Sequence, residues 1–204
     1  DSVGIFGQVV KPTDSAINQE FQISELDHRQ HIEPVVDTNQ KGNCVIAWMS
    51  SQGSNYDVRV KWYDKSMQPL GSSVIVGDPV PGHKSGVSVA LSPSGKTLIA
   101  YNRFCDRVRK DDVYAVIFNQ QRECVTAPFR VNKSASGQQQ LDIADGASRL
   151  SWTRQDQLIV AWQGQGAEGD VSGAFLSLFV PHSLAQSQWT KVIPPRKTVK
   201  RNRS

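Results

Sequence analysis

Val45-Ile46-Ala47-Trp48 is a short run, apolar at every position and closed by an aromatic residue, that the chain uses three times. It returns as Leu98-Ile99-Ala100-Tyr101 and as Ile159-Val160-Ala161-Trp162. A strand that is apolar on both faces is typical of a sheet packed between two layers. The recurrence therefore predicts a structural unit that the chain repeats.

A second series of residues keeps nearly the same period. Val58 lies 55 positions after Val3, Val113 lies 55 positions after Val58, and Val171 follows 58 positions later. A period of about 20–50 residues, or slightly more, indicates a solenoid, a propeller or another array. Clusters of Gly, Pro, Asn, Asp and Ser separate the runs, and no window shows sustained helical spacing, so the chain is predicted to be all-β.

Each unit is predicted to hold four antiparallel strands with the innermost strand first, which is the pattern of a propeller blade. The units are a partial one at 1–33 and complete ones at 34–83, 84–142 and 143–195, with a basic tail at 196–204. The domain 1–195 thus has about three and a half blades, whereas closed propellers have about 4–8. We expect another protein chain, a second copy or an N-terminal segment to complete the ring, because open strand edges and blade faces favour aggregation.

Two stretches carry a resemblance to known families. Leu91-Ser92-Pro93-Ser94-Gly95-Lys96-Thr97-Leu98-Ile99-Ala100-Tyr101 resembles the Ser-Pro-Asp-Gly-Lys turn of TolB-like propeller blades, with Ser94 where Asp is usual. The segments from Gly4 to Val10 and from Phe21 to Ser24, with the strands that follow, are similar to the repeats of large secreted bacterial surface proteins. That resemblance implies an extracellular, cell-surface or periplasmic location.

The positive charge of the chain lies in its tail. The formal net charge is +4, and the last nine residues hold five cations and no anion, which leaves the body near −1 (four minus five). The tail is either a solvated segment or a contact for an acidic partner, lipid headgroups or nucleic acid. The body lacks a basic stripe interleaved with aromatic residues, so nucleic-acid recognition is not expected. The five cations are Arg196, Lys197, Lys200, Arg201 and Arg203.

The long loops between the second and third strands, and between blades, are predicted to share one face of the propeller, which we call the loop face. Binding residues usually lie in such loops on a rigid scaffold. The stretch 102–112 carries Arg103, Phe104, Arg107 and Arg109, and is either a solvated mixed-charge loop or a docking loop anchored by Phe104. A long polar loop is also predicted at 50–56.

Histidines and aspartates on the loop face are further candidates for binding. His28, His31 and His83 fall in blade-to-blade loops, where they could contact a partner; the first two could also offer nitrogens to a metal. The equivalent aspartates of the three units could surround a cation or could accept backbone N–H groups in their turns. These aspartates are Asp57, Asp112 and Asp170. No complete ligand set is recognised, so the sequence predicts no metal and no cofactor.

Cysteines and tryptophans are predicted to be structural. Cys105 and Cys124 fall on opposite faces, too far apart for a disulfide, and Cys44 is expected to be buried. The aromatic residues that end the repeated runs are expected to pack between blades, while Trp152, on an inner strand, could look into the central channel.

Enzymatic motifs are absent from the sequence. There is no Gly-x-Ser-x-Gly elbow, phosphate loop or metalloprotease helix, and no Ser-x-Asp-x-Gly-x-x-Trp turn of sialidase propellers. No apolar stretch approaches the roughly 18 residues of a membrane span. The sequence therefore predicts a non-catalytic scaffold that binds a protein partner. A glycan- or peptide-binding module and a fragment of a propeller hydrolase or lyase are the alternatives.

Overall fold

A computed structural model describes residues 3–10, 19–77, 83–105, 110–132, 139–140, 150–164, 173–181 and 189–192. These residues form strands and turns and no helix. Accordingly, the described part offers no helix with the length and apolar character needed to cross a membrane.

The described residues form fifteen strands. In chain order they are β1 (Phe6–Gly7), β2 (Phe21–Gln22), β3 (His31–Thr38), β4 (Cys44–Gln52), β5 (Asn55–Tyr63), β6 (Val74–Val76), β7 (Lys84–Leu91), β8 (Thr97–Cys105), β9 (Lys110–Phe118), β10 (Phe129–Arg130), β11 (Gln139–Gln140), β12 (Leu150–Trp152), β13 (Leu158–Gly164), β14 (Gly173–Pro181) and β15 (Trp189–Val192).

The strands form antiparallel sheets in simple meander order. The first complete blade is β3-β4-β5-β6 and the second is β7-β8-β9-β10, while β1 and β2 pair as an isolated outer hairpin. In the third blade the inner strand consists of two pieces, β11 and β12, and the strands β13, β14 and β15 follow it. β11 pairs with the end of β13, and β12 pairs with the start of β13. The prediction of an all-β, propeller-like array of four-stranded blades is confirmed.

The hairpins between the second and third strands are tighter than the sequence suggested. β4 and β5 stay paired until Gln52 faces Asn55, and the connection between them is a two-residue turn in which Gly53 has φ +61°. The predicted long loop at 50–56 is therefore wrong. In the second blade β8 and β9 stay paired until Cys105 faces Lys110, so Arg103 and Phe104 lie on a strand.

The core lies between the blades. Three buried clusters alternate with the sheets, and the aromatic residues that end the three repeated runs each belong to a different cluster. Trp48 packs toward the β1–β2 hairpin with Ile5 and Ile23, Tyr101 joins the cluster of the first and second blades, and Trp162 joins that of the second and third. The predicted packing between blades is confirmed.

A buried hydrogen bond crosses the interface between the first two blades. The indole Nε1 of Trp62 donates to Oγ1 of Thr97 at 2.9 Å, and the Trp62 ring meets Phe118 edge-on, with ring centroids 5.2 Å apart. A buried indole N–H needs such an acceptor, because an unmade hydrogen bond costs about 1–3 kcal/mol. Polar contacts thus fix how the blades stack, in addition to the apolar core.

Cys44 is buried among apolar residues, as predicted, and Cys124 is exposed; both are free thiols. Burial raises the pKa of the Cys44 thiol to about 11, and the negative charge of Asp37 adds to this effect. The Cys105 side chain lies outside the described part of the chain.

Candidate functional site

The three inner strands begin at the loop face with polar residues. His31 is paired with Ser50, Lys84 with Arg103 and Gln139 with Gly164, so the first residues of β3, β7 and β11 hold equivalent positions in the three blades. None of the three is a carboxylate, so the acidic groups of this face come from other strands and loops.

Lys84 and Asp57 form a buried ion pair between the first and second blades. Nζ of Lys84 lies 2.8 Å from Oδ1 of Asp57, and the two side chains are 2% and 17% exposed. The same ammonium lies 5.9 Å from the centre of the Tyr101 ring. Because Lys84 opens β7 and Asp57 lies on β5, the pair joins an inner strand to the third strand of the preceding blade. It therefore fixes the carboxylate in place.

Aromatic rings and a cation continue this site across the second blade. The Tyr101 and Tyr114 rings are stacked with centroids 6.4 Å apart, and the Arg103 guanidinium lies 5.1 Å from the Tyr114 ring centre. Within the described residues Arg103 makes no ion pair, and it is half-buried. We call the group of Asp57, Lys84, Tyr101, Arg103 and Tyr114 the interblade cleft.

Gly77 permits the approach of the outer strands to this cleft. It has φ +87°, and a Cβ at this position would lie 2.7 Å from the hydroxyl of Tyr101. Both the backbone conformation and the space exclude a side chain here. The sequence thus places glycine where the chain leaves β6 and passes the buried tyrosine.

The rim of the cleft carries two more rings. Tyr56 and His83 meet edge-on with ring centroids 5.8 Å apart, and the Tyr56 hydroxyl donates to Oε1 of Gln30 at 3.1 Å. His83 is exposed and precedes Lys84 directly. The hairpin of the first blade and the blade-to-blade loops therefore meet at the cleft.

His31 lies beside the cleft but is itself buried, at 1% exposure. Its Nδ1 accepts a hydrogen bond from Nε1 of Trp48 at 3.1 Å, which leaves Nε2 to donate to Oδ1 of Asp27 at 2.9 Å. Burial raises the pKa of the Asp27 carboxyl, but hydrogen bonds from the Arg29 backbone N–H and from His31 outweigh it and hold the pKa below its usual value. The histidine orients an ionised carboxylate.

A second acidic group lies further out on the same face. Nη1 of Arg59 lies 3.4 Å from Oε2 of Glu25 and donates to Oγ of Ser73 at 2.8 Å. Burial raises the pKa of Glu25, but hydrogen bonds from Ser73 and from its own backbone, with the charges of Arg59 and Lys61, lower it on balance. Glu25 and Asp27 thus both favour the ionised form.

The two equivalent aspartates that the structure describes have different partners. Asp57 pairs with Lys84, and Asp112 accepts a hydrogen bond from Nδ2 of Asn132 at 2.6 Å and lies 3.6 Å from Nη1 of Arg130. Asp170 falls outside the described residues. No group of three or more His, Cys, Asp or Glu side chains able to hold a metal occurs within the ranges that the structure describes.

The remaining candidate residues are placed as follows. His28 is exposed on the loop before β3, and Phe104 is half-buried on β8. The other cations of the predicted docking loop and those of the tail lie outside the described part: Arg107, Arg109, Arg196, Lys197, Lys200, Arg201 and Arg203. Sequence analysis missed the central role of Lys84 and Tyr114, although the position of Lys84 at the start of an inner strand was a usable signal.

Comparisons with known proteins identify the fold. No protein-family model matches the sequence, and no curated protein matches it. Among solved structures, the chain is similar to the Hadza microbial sialidase Hz136, with a TM-score of 0.55 and 13% identity over 81% of this chain and 38% of the sialidase. A thermostable family-43 glycoside hydrolase gives a TM-score of 0.48 and 10% identity, covering 97% of this chain and 73% of that enzyme.

The chain therefore spans well under half of the sialidase that it resembles. The likeness supports the propeller-type fold, and it corrects the functional prediction. The sequence predicted a non-catalytic scaffold and no enzyme, whereas the fold is shared with a glycoside hydrolase. The prediction of a scaffold is wrong, and the alternative of a propeller hydrolase fits this comparison better.

Proposed function

We propose that this chain forms part of a propeller-type glycoside hydrolase that binds its substrate at the interblade cleft. The observation that carries the proposal is the partly exposed Asp57 carboxylate, which Lys84 fixes at 2.8 Å. The same lysine lies 5.9 Å from the centre of the Tyr101 ring, which is stacked on Tyr114. Ligand sites commonly combine aromatic walls with a few fixed polar groups. A sugar offers an apolar ring face to the half-buried Tyr114 and hydroxyl groups to Asp57 and Arg103, whereas the buried Tyr101 stacks on Tyr114. The similarity to a sialidase fold supports the same choice.

Hydrolysis of a glycoside needs two carboxyl groups, one ionised and one able to donate a proton. Asp57 and Asp27 are the candidate carboxyl groups, and the lowered pKa of Asp27 suits a nucleophile or a base. A general acid needs a raised pKa instead. The two described carboxyl groups with a displaced pKa are both lowered, so we expect the acid from other residues.

The remaining blades of the ring are also part of this proposal. Three further points stay predictions. They are a protein partner or second copy beside β1 and β2, an acidic partner for the tail, and an extracellular, cell-surface or periplasmic location. The same holds for the resemblance to TolB-like blades and to repeats of secreted surface proteins. Apolar side chains exposed on the β1 segment, at Val3, Phe6 and Val10, are compatible with a covering neighbour.

The test is hydrolysis of a panel of 4-methylumbelliferyl glycosides, an α-sialoside among them, by the purified protein. We expect release of the fluorophore from at least one member, and a loss of about 100-fold or more in kcat/KM for Asp57→Asn. The control is Asp156→Asn, whose more exposed pair with Lys96 at 2.9 Å lies on the opposite face. Activities are compared under conditions in which circular dichroism shows both variants to be folded. No hydrolysis of any member, or equal losses in the two variants, would contradict the proposal.

A further inference from the structure

A cavity of about 470 Å³ lies at the ends of the inner strands that are opposite to the loop face. At these ends a short turn joins each inner strand to the second strand of its blade. The ends of β3, β7 and β12 all contribute to its wall, so it lies on the axis where the three blades meet. Its volume falls within the range of about 300–1,000 Å³ that is usual for small-molecule sites. The cavity lies at the end of β7, whereas Lys84 of the interblade cleft is the first residue of that strand. We call it the axial cavity.

Hydrogen bonds between blades hold the wall of the axial cavity in shape. The backbone N–H of Leu91 donates to Oδ2 of Asp37 at 2.7 Å, joining β7 to β3. Nε1 of Trp152 donates to the carbonyl oxygen of Ala90 at 3.0 Å, joining β12 to β7. These bonds preform the cavity, so that a ligand would not have to order it.

The polar groups of the cavity include side chains with unused hydrogen-bonding capacity. Thr38, Gln40 and Ser151 line it and are exposed, and their side chains make no hydrogen bond to any residue that the structure describes. Each Asp37 oxygen accepts one backbone N–H, from Thr38 or Leu91, and keeps a further lone pair. Hydrogen-bond donors and acceptors therefore face the axial cavity from both β3 and β12.

Apart from Asn39 the remaining wall is apolar and aromatic, and the lining contributed by the described residues includes no cation. Leu91 and the half-buried indole of Trp152 present carbon surface beside the polar groups. An anionic ligand is disfavoured by Asp37, and a purely apolar ligand would leave the hydroxyl and amide groups unpaired. A neutral ligand with many hydroxyl groups and an apolar ring face fits both parts of the wall.

We propose that the axial cavity is a second saccharide-binding site, specific for a neutral sugar and separate from the interblade cleft. Thr38, Gln40, Ser151 and Asp37 hydrogen-bond the sugar hydroxyls, and Trp152 and Leu91 contact its ring. The site goes beyond the proposed hydrolysis, because it lies at the opposite end of the inner strands and binds sugar without cleaving it. It would hold a polymeric substrate while another part of that polymer occupies the cleft.

The test is isothermal titration calorimetry with cellotetraose, xylotetraose and maltotetraose, and with the cationic tetramer of chitosan. We expect at least one neutral tetraose to bind, and the double variant Gln40→Ala/Ser151→Ala to raise its Kd about tenfold, since two hydrogen bonds are lost. Both positions are exposed, so the variant is expected to fold. Gln155→Ala, on an exposed turn of the same face, should leave the Kd unchanged.

Asp57→Asn distinguishes the two sites. It should leave the binding at the axial cavity intact, whereas loss of the heat signal in a variant that circular dichroism shows to be folded would place the sugar in the cleft and overturn the proposal. Binding of the chitosan tetramer alone, no binding of any tetraose, or a Kd that Gln40→Ala/Ser151→Ala leaves unchanged would also overturn it.

Discussion

Nζ of Lys84 lies 2.8 Å from Oδ1 of Asp57, and this contact links the first strand of one blade to the third strand of the blade before it. The lysine is 2% exposed. Its positive charge is compensated by the Asp57 carboxylate and by the face of the Tyr101 ring. A buried charge without a partner is costly. The pair is therefore both a tie between blades and the polar centre of the interblade cleft.

Replacing the buried lysine should destabilise the protein strongly. Lys84→Met leaves Asp57 without its partner, and we expect a loss of about 3 kcal/mol in the free energy of unfolding, at the lower end of the range for broken buried pairs. Lys96→Met is the control, because Lys96 and Asp156 are each 29% exposed and such a pair contributes about 0–1 kcal/mol. Urea unfolding measures both, and equal losses would contradict the assignment.

A methyl group at Gly77 should disturb the same interface. Gly77→Ala introduces a Cβ 2.7 Å from the Tyr101 hydroxyl, and Tyr101 is buried and cannot swing away. Gly71→Ala is the comparison, because Gly71 also has positive φ, at +121°, but has nothing within 4 Å of the added atom. We expect Gly77→Ala to cost about 1–3 kcal/mol more than Gly71→Ala in thermal or urea unfolding. Similar losses of stability in the two variants would show that the Tyr101 side chain moves aside, and would contradict this prediction.

The acid stability of the protein should depend on Asp27. Its pKa is lowered in the folded state, so the ionised carboxylate stabilises the fold above its unfolded pKa of about 3.9, and this contribution is lost as the pH falls through the folded pKa. Asp27→Asn should therefore be less stable than the wild type at neutral pH and should lose less stability on acidification. Unfolding followed from pH 7 to pH 2.5 checks this, and parallel curves would contradict it.

The cysteines should differ in reactivity. Cys44 is 3% exposed with a pKa raised to about 11, so at pH 8 it is a buried thiol rather than a thiolate, whereas Cys124 is exposed. Iodoacetamide at pH 8 should alkylate Cys124 in the folded protein and should reach Cys44 only after denaturation. Peptide mass spectrometry distinguishes the two, and rapid labelling of Cys44 under native conditions would show that its strand is not packed as described.

Most of the fold could be predicted from the repeated apolar runs, because a strand buried on both faces has a distinctive sequence. The runs that end at Trp48, Tyr101 and Trp162 became the second strands of three blades. The tight hairpin at Gln52–Asn55 was not predicted, because its polar residues have the composition of a loop. Their backbone groups nevertheless pair between β4 and β5 as far as Gln52 and Asn55.

The site was less predictable because its partners are distant in sequence. Asp57 and Lys84 lie 27 positions apart and in different blades, so only the stacking of the blades brings them together. The enzymatic motifs that the sequence lacks are local patterns, and a cleft assembled from several strands leaves no such pattern. The expectation of a non-catalytic chain rested on that absence, which explains why it was wrong.

The most direct test of the central claim is the location of a bound glycoside in a crystal structure of the Asp57→Asn variant. The glycoside should be one that the wild-type protein hydrolyses. We predict a sugar ring beside Tyr114 and Arg103 in the interblade cleft, with its glycosidic oxygen facing position 57. A sugar bound on another face, with this cleft empty, would contradict the account.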